Sequence, residues 1–147
     1  MGEAPGRDED LQGKPFVGRA GELLDSYFAA LGLSRDQFLL MNRLRCRPPN
    51  NDIRSSEAIA GLTACDKWTQ EELNAYKPSV TILMGRTAAK PLFGNVSVGA
   101  GRGSYTTVEG CTYVFTYHPA AALRSPELGK FIMEDIQLAV DLWKLLK

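Results

Sequence analysis

Four residues in the 147-residue sequence have side chains and settings suited to chemistry. Glu3 stands between the loop glycines Gly2 and Gly6, and Phe16 lies in a stretch punctuated by Gly13, Pro15 and Gly18. Asn42 follows the apolar run Phe38-Leu39-Leu40-Met41, and His118 is the only histidine, followed at once by Pro119. A carboxylate suits a reaction that builds positive charge or needs a placed water, and neutral donors suit one that builds negative charge on a leaving group. An amide offers one acceptor and two donors, enough to read a ring edge, and an aromatic ring outside a periodic apolar face is free to stack. Each residue also has a plain structural reading: a loop glutamate in solvent, a phenylalanine plugging the core, an asparagine closing a turn, a satisfied histidine.

The elements that must position these residues follow from pattern. Residues 2–18 are rich in Gly, Pro and charge and read as an irregular loop. Leu24, Tyr27, Phe28 and Leu31 recur at helical spacing and predict a helix that stops near Gly32. Phe38–Met41 reads as a short strand buried on both faces, ending in the polar stretch 42–54. Ser55 or Ser56 caps a second helix carrying Ile59, Leu62 and Leu73 and ending before Pro78. Residues 80–85 predict a strand, Ala88 to Leu92 a short helix, and Tyr105–Val108 with Tyr113–Tyr117 a hairpin about Glu109-Gly110. Ile132, Ile136, Ala139, Val140, Trp143 and Leu146 form the stripe of a last helix. Strands alternating with helices imply a three-layer α/β/α domain with a mostly parallel central sheet, its functional loops at the carboxyl ends of the strands.

Composition bounds the answer. One domain, residues 1–147, is long enough to bury about two-thirds of its unfolded surface. Its 44% apolar and 23% charged residues fit a soluble globular protein, and no apolar run approaches a membrane span. The net charge is zero, so any nucleic-acid affinity has to come from local clusters. Arg43, Arg45 and Arg47 alternate near a strand end, and with Lys14 and Arg54 they form a candidate phosphate-binding patch; solvated arginines would look the same. Walker and Rossmann glycine patterns are lacking, which argues against a nucleotide-binding α/β protein. An odd number of cysteines, Cys46, Cys65 and Cys111, argues for a reducing, cytoplasmic setting.

Three segments in order, Gly2-Glu3-Ala4-Pro5-Gly6-Arg7-Asp8-Glu9-Asp10 continued by 13–21, Asn42-Arg43-Leu44-Arg45-Cys46-Arg47-Pro48-Pro49, and Tyr117-His118-Pro119-Ala120-Ala121-Ala122-Leu123-Arg124, carry a resemblance. With Thr87-Ala88-Ala89-Lys90, they make the chain resemble the iron–sulfur, family 4 type of uracil-DNA glycosylase. The resemblance implies an α/β/α fold and a monofunctional hydrolase that flips uracil out of DNA, cuts its N-glycosidic bond and leaves an abasic site. It implies that Glu3 places the attacking water, with Glu9 a second acidic position, and that His118 donates to uracil O2. Gly2, Ala4, Phe16 and Asn42 fall in the base-binding positions, Phe16 for stacking and Asn42 for N3–H and O4. Leu123 and Arg124 fall where relatives push into the duplex and hold phosphates, unless they simply begin a helix.

The resemblance also implies that Cys46 and Cys65 are the second pair of ligands of a [4Fe–4S] cluster. The first pair and a first strand are expected upstream of the Gly-Glu loop, so the sequence reads as an N-terminally truncated piece of a protein that is monomeric when complete. Cys111 matches no ligand position and is expected to be a buried thiol. The competing reading is a catalytically impaired relative that binds nucleic acid or a partner without turnover. A uracil-trapping relative would carry an extra basic loop where only Asn50-Asn51-Asp52-Ile53-Arg54 is found, and no lysine occupies a position suited to Schiff-base lyase chemistry.

Overall fold

The computed structural model describes residues 1–146. Its chain order is α1 (Arg7–Gln12), α2 (Arg19–Ala30), α3 (Ser56–Tyr76), β1 (Val80–Met84), α4 (Arg86–Phe93), α5 (Val98–Gly101), β2 (Tyr105–Val108), β3 (Cys111–Thr116), α6 (Pro119–Arg124) and α7 (Gly129–Leu145).

The three strands lie in the order β1-β3-β2. β1 runs parallel to β3, from Val80 opposite Thr112 to Met84 opposite Thr116, and β2 runs antiparallel to β3. Glu109 and Gly110 close that hairpin with positive φ, 50° and 84°, the backbone twist a tight two-residue turn requires. Alternation along β1 and β3 splits the core between the two sheet faces. Met84 and Ile82 pack with Leu24, Phe28, Ala122, Ile132 and Ile136 from α2, α6 and α7. Leu83 and Phe115 pack with Ala88 and Ala89 of α4 on the other face. Leu24, Ile132 and Ile136 are fully buried, each stabilising the fold by about 1.5–3 kcal/mol through removal from water. Helices therefore cover both faces, as the α/β/α expectation required.

Two expectations are corrected. Residues 2–18 are not wholly irregular, because Glu9 reaches back to accept from the Gly6 N–H (3.0 Å) and so starts α1, with Asp8, Glu9 and Asp10 at the positive end of the helix dipole. Phe38–Met41 is extended but forms no ladder, and Leu39 is exposed. Pairing begins only at Met41, whose carbonyl accepts from Gly2 N–H (2.8 Å), and continues as a parallel bridge between Gly2 and Asn42. On its other side the same N-terminal segment meets β1, with Met1 N donating to Ile82 O (2.6 Å) and Met84 N to Met1 O (2.8 Å). Met1–Glu3 thus lies between β1 and the Asn42 segment in parallel register. Beyond it, an apolar cavity of about 250 Å3 opens between Leu39, Leu40, Val80, Ile82 and Trp143.

Most of the remaining elements match the sequence pattern, whereas α5 and α6 carry no periodic signal and Leu123 and Arg124 end α6 rather than begin a helix. Ser55 caps α3, its hydroxyl accepting from Ala58 N–H (3.1 Å), although Ile59 points to solvent rather than inward. Cys111 is buried, its sulfur 3.3 Å from the Thr81 hydroxyl, as expected of a core thiol. Among the described residues no helix is long and apolar enough to cross a membrane.

Candidate active site

The loops leaving the carboxyl ends of the parallel segments converge on one edge of the sheet. Gly2 is the pivot. A Cβ at this position would stand 2.5 Å from Phe16 Cζ and 2.7 Å from Asn42 Oδ1, so only glycine lets the ring and the amide approach the same point. Asn42 is buried and among the described residues its Oδ1 has no hydrogen-bond partner, an uncompensated acceptor of the sort a ligand donor would satisfy.

Next in the chain, Glu3 is held from the backbone by its own carbonyl, which accepts from Leu44 N–H (2.9 Å), and from the side chain by Thr87. The Thr87 hydroxyl donates to Glu3 Oε2 at 2.7 Å, so one carboxylate oxygen is oriented and the other is left to work. Thr87 was carried in the sequence only as part of a motif. Nothing in a threonine at the start of a helix signals that it reaches a carboxylate 84 positions away.

Phe16 meets its structural reading as a core residue. Its ring is buried among Leu24, Phe28 and Met84, and it also stacks toward the His118 imidazole, with 5.9 Å between centroids and 25° between planes. The backbone at Phe16 has φ 55°, unfavourable for a side chain of this size, and is locked from both sides. Arg35 donates to the Phe16 carbonyl, and Glu9 Oε2 accepts from Val17 N–H (2.8 Å) and Gly18 N–H (2.6 Å). Glu9 is therefore engaged with backbone amides of the loop. Burial raises its pKa but these backbone donors outweigh it, so the carboxyl sits below its ordinary value.

His118 follows β3 and caps α6. Its Nδ1 accepts from Ala120 N–H (3.0 Å), which puts the proton of the neutral ring on Nε2. Gly85, with φ 92°, lies against it; a Cβ there would come within 3.2 Å of His118 Cβ. Burial pushes the imidazole pKa down to about 4, with the positive charge of Arg124 acting in the same direction. At neutral pH the ring is an uncharged donor.

The arginines divide. Arg43 donates to Thr87 O (3.0 Å) and lies 3.8 Å from Asp66; Arg45 pairs with Glu72 (2.6 Å) and reaches Thr69. Both are turned into the contact with α3 and differ in this from the expected phosphate patch, because acidic residues on one face of that helix draw them in. Arg47 is partly exposed and bonded to Asn51 (2.8 Å), and Lys14 is exposed. Leu123 is half-buried and Arg124 exposed in the last turn of α6, on the His118 side of the molecule. Ala4 is half-buried in the Glu3 loop.

Comparison with known proteins agrees with this geometry. The family model of the uracil DNA glycosylase superfamily matches residues 1–147. This chain belongs to that superfamily. It is 39% identical to a type-4 uracil-DNA glycosylase of Sulfurisphaera tokodaii over 93% of this chain and 66% of the relative. It is 40% identical to one of Saccharolobus solfataricus (93% and 67%) and 39% identical to one of Archaeoglobus fulgidus (93% and 72%). The chain thus spans about two thirds of the length of the curated relatives it matches.

The iron–sulfur expectation finds only part of a ligand set. Cys46 is exposed and Cys65 half-buried on α3, and among the described residues no group of three or more His, Cys, Asp or Glu side chains converges to hold a metal. Two thiolates do not meet the four-ligand requirement of a [4Fe–4S] centre.

Proposed function

We propose that this protein excises uracil from DNA as a monofunctional hydrolase, and that the unpartnered Oδ1 of Asn42, buried beside Gly2 and Phe16, is the group that reads the base. In this reading uracil is flipped from the duplex and lies against Phe16. Asn42 Oδ1 accepts from N3–H while its amide N–H donates to O4, a pattern that cytosine would not satisfy. Glu3, oriented by Thr87, directs water at the sugar carbon as positive charge develops there. His118, neutral and protonated on Nε2, donates to O2 of the departing uracil anion. Arg47, Leu123 and Arg124 contact the DNA; the reading rests on their place in the motifs and, for Arg124, on its exposure. The product is an abasic site and free uracil. The setting is the cytoplasm and the working unit a monomer.

Cys46 and Cys65 enter this reading as two of four cluster thiolates, the others lying outside these residues. Iron content of the longest natural form of the chain, with and without Cys46→Ala, checks that assignment.

The deciding experiment incubates the protein with an oligonucleotide carrying one uracil, then cleaves abasic sites with alkali. Scission at the uracil position, lowered by about tenfold or more in Asn42→Asp, is expected. Tight binding without abasic sites would mean that the chain recognises damaged DNA but does not turn it over.

A further inference from the structure

Asp135 of α7 is buried (1% exposed), far from any motif, and fully engaged. The Arg102 guanidinium meets it through Nε (3.0 Å) and through a second, shorter contact from NH2, and the Thr116 hydroxyl donates to Oδ2 at 2.7 Å. Arg102 leaves α5, and its guanidinium also lies 4.8 Å over the Phe131 ring. Thr116, 0% exposed, is the last residue of β3 and stands two positions before His118. Its carbonyl is bonded in turn to Gly85 N–H (2.9 Å), and Gly85 touches His118. The adjoining loop is stapled by Gly103 N–H to Phe115 O (2.7 Å). A buried ion pair is a weak means of stabilising a fold compared with apolar packing, but its directional bonds fix geometry. Here they fix the strand end from which the imidazole projects.

We propose that Thr116, Asp135 and Arg102 form a positioning network that holds the end of β3 so that His118 stays enclosed with its Nε2–H directed into the site. The inference rests on the excision reading for what His118 does, but not for how it is held. Glu9 and Arg124, whose charges reach the ring, do not belong to the network. Loosening the network therefore acts on the imidazole by admitting water rather than by removing a neighbouring charge. More water around the ring raises its pKa toward the ordinary value near 6.5.

His118 is the only histidine, so its titration is read directly by NMR of the whole chain with labelled histidine, without DNA. The parent is expected to titrate near pH 4. Thr116→Val, which keeps the shape and removes the hydroxyl, should titrate about one unit or more higher, while Thr116→Ser should follow the parent. Thr112→Val is the control. That threonine is also buried on β3 and bonds Thr107 (2.9 Å), four residues from Thr116, and its loss should leave the imidazole unmoved. Arg102→Lys, which loses the bidentate fork, gives the same upward shift and replaces Thr116→Val if that variant does not fold. In uracil excision Thr116→Val should lower kcat by roughly ten- to a hundredfold with KM nearly unchanged. A Thr116→Val imidazole that titrates with the parent, or that moves no more than in Thr112→Val, overturns the network. A parent that leaves uracil in place overturns the excision reading instead, and the titration still decides the positioning.

Discussion

The loops that carry Glu3, Phe16 and His118 are each fixed by side-chain bonds, whereas the flank between β1 and Phe38–Met41 is bounded by apolar side chains with little backbone pairing. Thr87 holds Glu3, Glu9 and Arg35 hold the turn at Phe16, and Ala120 N–H holds His118. On the flank, Leu39 is exposed and the cavity beside Val80 is open. Side-chain bonds are concentrated where small displacements matter chemically. A positioned group loses its effect when misplaced by about 1 Å, and an apolar contact is far more forgiving.

The sharpest break of that contrast is at the reactive residues. Glu3→Ala and His118→Ala should each lower uracil excision by roughly a hundredfold or more, as measured by abasic-site release, and His118→Ala should also lower Tm by removing the cap of α6. Asn42→Asp comes next. An ionised carboxylate faces O4 without a donor, so uracil excision should fall by about tenfold or more, with any gain appearing on cytosine-containing substrate.

Glu9 offers a graded probe of the fixed region. Glu9→Gln should weaken the cap of α1 and the Phe16 turn by about 1 kcal/mol, with a severalfold loss of activity. Its folded pKa lies below the ordinary 4.5, so its contribution is fully present above that value and is lost as pH falls through the lower folded one. The difference in Tm between parent and Glu9→Gln should therefore be full above pH 4.5 and shrink as pH falls below it. The smallest effect separates the arginines: Arg124→Ala should weaken DNA binding a few-fold and reduce the salt slope by about 1, whereas Arg43→Ala, bonded to Thr87 and beside Asp66, should lower Tm instead.

Periodicity and punctuation determined most of the fold by themselves. The α2 stripe, the Ser55 cap, the Glu109-Gly110 hairpin and the Ile132–Ile136 face depend on residues within a few positions of one another, and such local preferences are written directly in sequence. The three motifs likewise determined the superfamily and the candidate residues Glu3, Phe16, Asn42 and His118. Only the tertiary structure decided which neighbours those residues have. That Asn42 Oδ1 lacks a partner, that Thr87 orients Glu3, that Arg43 and Arg45 turn inward, and that Thr116, Asp135 and Arg102 meet behind His118 all depend on contacts between residues far apart in the chain. A hydrogen bond is satisfied by any suitable partner within about 3 Å, wherever the chain supplies it, so nothing in local spacing marks these pairs.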